Sequence, residues 1–159
     1  MKPNTAFERD CRKARQLSVT FGGEEKERVE VQVHQYERAP VGEHYDDNWV
    51  HVSVLFSIGA FAGNYKATFL TSDFVDFREG LRALHQSLEG VACFSTLEDQ
   101  LTLKLTGDGR GHIELKGIAI DAPGTGNRLE FELALDQSYL PSVLKELDEI
   151  VRSFPVRAG

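Results

Sequence analysis

Apolar residues fall at every second position over residues 15–21, where Leu17, Val19 and Phe21 face one way and Gln16, Ser18 and Thr20 the other. That alternation predicts a half-buried strand. Residues 28–36 repeat it with Val29, Val31 and Val33 inward, and the glycine turn after Phe21 predicts an antiparallel hairpin. Residues 37–48 break the pattern with Pro40 and Gly42 and read as an irregular loop. Alternation resumes over residues 49–59, with Val50, Val52, Val54, Phe56 and Ile58 on one face. Trp49, His51, Ser53, Leu55 and Ser57 lie on the other, and residues 60–70 turn back across a bend marked by Gly59 and Gly63.

At Thr71 the apolar spacing changes. Phe74, Phe77, Leu81, Leu84 and Leu88 recur at steps of three and four, the stripe of an amphipathic helix. Ser72 is the predicted N-cap, with Asp73 and Asp76 in the first turn and Gly90 as the stop. Gly80, costly inside a helix, predicts a close approach to a sheet. Four strands follow, at residues 91–97, 100–107, 112–121 and 127–136. In the third, the inward set shifts from Ile113 and Leu115 to Ile118 and Ile120, which predicts a bulge at Lys116-Gly117. A last helix begins near Ser138, buries Leu140, Val143, Leu144, Leu147, Ile150, Val151 and Phe154, and ends at Pro155.

Four strands, a helix, four strands and a helix, without βαβ alternation, predict an α+β fold. The expectation is an antiparallel β-sheet of about eight strands with two amphipathic helices. The 159 residues fit a single domain, 1–159, with residues 1–14 a flexible N-terminal segment. The two halves share a plan but no visible sequence repeat.

Gly107, Gly109 and Gly111 raise the question of a phosphate loop. Such loops lead into a helix N-terminus, whose free N–H groups face the anion. Here the glycines join two strand patterns, so Asp108-Gly109 reads as a hairpin turn. The same holds for residues 122–127. His44, Asp46, Asp47 and His51 lie within eight positions but lack any spacing that fixes metal geometry, and no metal or other cofactor is expected. Asp47 or Asn48 is better placed to bond backbone amides ahead of the next strand. No serine sits in a nucleophile elbow, since Ser72 and Ser138 read as helix caps. Exposed Glu130 and Glu132 read as a solvated sheet face. Cys93 reads as a small buried hydrophobe and Cys11 as part of the terminal segment, so no catalytic residue is expected and the chain is not read as an enzyme.

The formal charge is −7, from 25 acidic and 18 basic residues, which argues against a nucleic-acid partner. No apolar run approaches the roughly 18 residues that span a bilayer, and the N-terminus has no apolar signal region, so a cytoplasmic protein with no membrane partner is expected. Acid is concentrated between residues 24 and 47, where Glu24, Glu25, Glu27, Glu30, Glu37, Glu43, Asp46 and Asp47 meet only Lys26, Arg28 and Arg38. Such a run is either a solvated edge or an electrostatic surface for a basic partner. On pattern alone Glu24, Glu25, Glu43, Tyr45, Asp46 and Asp47 are exposed, and they gather charge around one aromatic. They are the candidate partner-binding residues.

Three segments taken together, DNWVHVSV, LTGDGRGHIELKG and PGTGNRLEFELALDQSYLPSVLKELDEIV, resemble the WapI-like family of bacterial immunity proteins. The resemblance runs from about Asp46 to Phe154. It departs at Asn48-Trp49-Val50, where a longer aliphatic residue would follow the tryptophan. It implies a protein that binds and neutralises, by occlusion, the toxic C-terminal domain of a contact-delivered polymorphic toxin. The implied partner is a basic toxin domain, with nucleases prominent in that class. Two alternatives remain from the residues themselves. One is a small-ligand-binding or hydrolase-like domain with His51 and Ser53 on the floor of a sheet cup. The other is a regulatory interaction domain, and the oligomeric state stays open.

Overall fold

The computed structural model describes residues 16–23 and 27–158. The expected flexible segment 1–14, Cys11, and the candidate residues Glu24 and Glu25 lie outside the described residues. The chain forms β1 (Leu17–Gly22), β2 (Arg28–Tyr36), β3 (Trp49–Ile58), β4 (Phe61–Leu70) and α1 (Thr71–Ser87). It then repeats the plan with β5 (Glu89–Ser95), β6 (Leu101–Asp108), β7 (His112–Ile120), β8 (Arg128–Asp136) and α2 (Leu140–Ser153). The eight strands divide into two sheets of four, β1-β2-β3-β4 and β5-β6-β7-β8, with every neighbour antiparallel. The architecture is α+β, as the alternation followed by two helical stripes predicts.

One cluster of buried apolar side chains joins both sheets and both helices. The inward valines of β1, β2 and β3, the leucines of β6 and β7, and Leu133 and Leu135 of β8 are almost wholly removed from water. At roughly 1.5–3 kcal/mol for each such side chain, this burial dominates what opposes chain entropy. Phe94 on β5 ties the layers together. Its ring lies 5.7 Å from Phe69 of β4 and 5.4 and 5.5 Å from Phe74 and Phe77 of α1, all tilted or edge-on. Gly80 sits where expected, with a Cβ there only 3.7 Å from that of Ala92 on β5. The free edge of β1 is covered by α2, where Glu146 accepts the Thr20 N–H at 2.8 Å.

Several local expectations are corrected. The N-cap of α1 is Leu70, not Ser72, and Asp73 accepts its backbone N–H at 3.1 Å. The helix stops at Leu88, in the left-handed region at φ 59°, rather than at Gly90, which belongs to β5. Ser138 is not the N-cap: Asp136 accepts the Ser138 N–H at 2.7 Å and caps the short 3-10 turn Gln137–Tyr139 that leads into α2, whose own N-cap is Tyr139. Cys93 is exposed, because Ala92 and Phe94 take the inward positions of β5.

No bulge interrupts β7. Its inward row runs Ile113, Leu115, Gly117, Ala119 without a shift in register. The apparent parity change arises because glycine and alanine fill inward positions beside Phe131. A Cβ on Gly117 would fall 2.1 Å from the Phe131 ring, so the glycine is the space that the ring occupies. The irregularity lies instead in β2, between Val33 and Gln35.

Candidate functional site

Residues 37–48 join β2 to β3 and carry most of the candidate residues. Their base is closed by the Glu37 N–H donating to the Trp49 carbonyl at 2.9 Å. Within the loop the Asp47 carboxylate accepts three consecutive backbone N–H groups, from Val41 (3.0 Å), Gly42 (2.7 Å) and Glu43 (2.8 Å). Gly42, at φ 90°, supplies the left-handed backbone this wrap requires. Asp47 is only 2% exposed, so the exposure expected for it from pattern is corrected: the loop folds around its carboxylate. Burial works to raise its pKa, but the N–H donors and Arg38 outweigh that and hold it below the usual carboxylate value.

Arg38 links the acids. It donates from Nη2 to Glu43 at 2.7 Å, lies 3.7 Å from Asp46, and donates from Nε to Asp47 at 3.4 Å. The hydrogen bond and charge of Arg38 hold Glu43 below the ordinary value. One cation thus serves three carboxylates, and the loop keeps a net negative face.

A second device fastens the loop to the C-terminal segment. Asn48 donates from Nδ2 to the carbonyls of His44 (2.5 Å) and Arg157 (2.9 Å). Its Oδ1 accepts the Arg157 N–H (2.6 Å) and the Thr71 hydroxyl (3.1 Å). The Arg157 guanidinium donates to the Arg38 carbonyl at 3.0 Å and stacks on the Tyr36 ring, 3.4 Å from its centroid. Tyr36 in turn donates to the Pro155 carbonyl and meets Phe154 edge-on. The backbone of the loop is therefore held from both sides.

What remains outside is Tyr45, 71% exposed, and Val41, 66% exposed. Glu43 and Asp46 are exposed beside them. Glu43, Tyr45 and Asp46 are brought together, and Asp47 lies beneath them. Gly23 and Glu27, which bracket residues 24–26, stand at the other end of β2, a strand of nine residues and so roughly 30 Å long. The sequence reading anticipated that Asp47 or Asn48 would bond backbone amides, and both do. It missed the bridging role of Arg38, whose three acids lie within nine positions of it, and the contacts of Arg157 with Tyr36, Arg38 and Asn48, which join segments more than a hundred positions apart.

His44 lies in the loop and His51 on the outer face of β3. Among the described residues no three His, Cys, Asp or Glu side chains gather as metal ligands would. The Gly107–Gly111 segment forms the expected hairpin turn, with Asp108 accepting the N–H groups of Arg110 and His112. Glu130 and Glu132 lie on the solvated face of β8, beside Arg128 and Lys116. The sheet floor at His51 and Ser53 is a groove that contains no carboxylate. No helix among the described residues is long and apolar enough to cross a membrane.

These features describe an α+β protein with a braced acidic loop and an exposed tyrosine on it. The chain belongs to the Immunity protein WapI-like family, whose profile matches residues 20–155. The match begins well before Asp46, so it takes in β2 and the loop that the sequence motifs left out. No curated protein matches the chain by sequence. Among solved structures, those titled "Crystal structures of trypanosoma bruciei MRP1/MRP2" are similar at 10% identity, covering 87% of this chain and 84% of that one, with a TM-score of 0.47. The "Structure of the plant transcriptional regulator PBF-2" is similar at 11% identity, covering 91% and 89%, with a TM-score of 0.46.

Proposed function

We propose that this immunity-family chain binds the toxic C-terminal domain of a cognate polymorphic toxin in the cytoplasm and neutralises it by occlusion. It acts as one domain and without catalytic residues of its own. The observation that carries the reading is the braced loop. Tyr45 stands exposed beside Val41, with Glu43 and Asp46 alongside, on a backbone fixed by Asp47 and Asn48. Aromatic anchors of this kind supply a large share of interface energy. A loop ordered before binding loses little entropy when it docks.

The charge supports a basic partner. With −7 overall and the acid beside the anchor, a cationic surface would be steered onto the loop. A nuclease domain, which must itself hold phosphates, fits that description. Glu43, Tyr45 and Asp46 make the direct contacts in this reading, while Asp47 presents them. Glu24 and Glu25, which lie outside the described residues, stay candidate contacts on their charge alone.

The test uses the toxin domain encoded beside this chain and measures binding by calorimetry at two salt concentrations. Tyr45→Ala is expected to weaken binding roughly thirtyfold, the scale of an interface hot spot. Glu43→Lys with Asp46→Lys is expected to slow association and flatten its salt dependence. Unchanged affinity in both variants would move the interface elsewhere.

A further inference from the structure

We propose that the outer face of the first sheet, at the β2 bulge, is a binding site for a phosphate-class oxyanion. The inference is independent of the toxin reading. In a regular strand only alternate side chains face out. The irregularity between Val33 and Gln35 sets two consecutive residues, His34 and Gln35, on the exposed side, while Val33 and Tyr36 face inward. Ser53 stands directly across from Gln32 on one strand and Lys66 on the other, and His51 stands across from Gln35. His34, Gln35, His51, Ser53 and Lys66 thereby line one open groove of about 450 Å³. His34 Nε2 lies 2.7 Å from Ser53 Oγ, which fixes the imidazole over the groove floor.

The chemistry of this lining is one-sided. Its polar side chains offer an ammonium, an amide, a hydroxyl and two imidazoles, and no carboxylate lines the groove. The acid on the same face of β2, Glu30, is already engaged by Arg28 at 3.2 Å and Gln32 at 3.1 Å. Lys66 has no ion-pair partner among the described residues, whereas Arg28, Arg38, Lys116 and Arg128 all do. An unpaired cation among hydrogen-bond donors, in a chain of net charge −7, is complementary to a compact anion. A tetrahedral phosphate accepts from several directions at once and can engage both strands, which a planar carboxylate reaches less completely. Serine with histidine suggests a nucleophile, but nothing in the groove orients His34 as a base, so the site binds rather than reacts.

The test is a titration of the full chain at fixed pH, followed through the ring signals of its histidines by NMR. Inorganic phosphate, phenyl phosphate and acetate are the three ligands. Saturable shifts of His34 and His51, without shifts of His85 and His112, are expected with the two phosphates at millimolar concentration. Tighter binding of phenyl phosphate would identify a phosphate monoester as the ligand, and tighter binding of inorganic phosphate the free ion. Lys66→Gln should weaken binding about tenfold or more, the loss of one charge-assisted hydrogen bond. Lys104→Gln, on the outer face of the second sheet, should leave it unchanged. Acetate binding as tightly as phosphate, shifts shared by all histidines, or equal loss in the two lysine variants would overturn the proposal.

Discussion

The two halves of this chain follow one plan and differ most at one connection. In the second half β6 passes to β7 through the short turn after Asp108, held by that carboxylate accepting the N–H groups of Arg110 and His112. In the first half β2 passes to β3 through residues 37–48, and again one aspartate, Asp47, organises the backbone. The same device serves both, but the longer connection leaves side chains standing clear of the bonds that hold it. Tyr45 and Val41 are those side chains. A tight turn spends its residues on reversing direction, whereas a braced loop can carry a surface for a partner. The sheets differ in the same sense, with a register shift in β2 and regular pairing through β7.

The largest effect should come from unfastening the loop. Asn48→Ala removes four hydrogen bonds at a buried position, and the Arg157 backbone N–H and the Thr71 hydroxyl both lose their bond to Asn48 Oδ1. A loss of about 2–4 kcal/mol is expected by denaturant unfolding, each unsatisfied buried group costing about 1–3. Asn127→Ala, in the exposed β7–β8 turn, should stay within about 0.5 kcal/mol. Next comes Gly117→Ala, whose new Cβ would meet the Phe131 ring at 2.1 Å, for an expected loss of about 1–3 kcal/mol. His34→Ala, at the bulge, should be nearly silent in stability. These two variants distinguish a strand position that is packed from one that is merely irregular.

Smaller in stability but sharper for function are the two organising aspartates. Asp47→Asn should lower partner affinity by releasing Glu43 and Tyr45, and Asp108→Asn should leave it unchanged. Equal effects would mean that the loop is not the interface. Both carboxyls sit below the usual range, so the stability they lend is present above the ordinary value of 3.8 and is lost as pH falls through their folded values. The loop therefore stays braced at neutral pH and loosens only in acid. Asp73 behaves in the opposite sense, raised by burial to about 6. Its contribution is fully present below 3.8 and declines as pH rises towards 6, and Asp73→Asn should flatten that decline.

Strands and helices were legible because their periods are local. The inward rows of β1, β2, β3 and β8 and the stripe of α1 all lie where alternation and three-four spacing put them. The division into two sheets was not legible, since no short-range signal says that β4 and β5 do not pair. The bulge was misplaced for a physical reason: Gly117 and Ala119 look outward by composition but face in to accommodate Phe131, while His34 and Gln35 look like ordinary alternation. At the candidate site Tyr45, Glu43 and Asp46 were legible as exposed. Asp47 was not, because a carboxylate wrapped by its own loop reads the same in sequence as one in water. Arg157, brought to Tyr36 and Asn48 from the far end of the chain, had no local signal at all.

The central claim, that the β2–β3 loop holds a cognate toxin domain, is tested most directly by paired pull-downs. Tagged wild type and a Glu43→Lys, Tyr45→Ala, Asp46→Lys variant would be recovered from cells expressing the genes adjacent to this one, with co-purifying proteins identified by mass spectrometry. The account predicts that wild type brings down the C-terminal domain of a large secreted protein in near-equal amount, and that the variant, folded by circular dichroism, does not. Recovery of that domain equally by both proteins, or by neither, would contradict it.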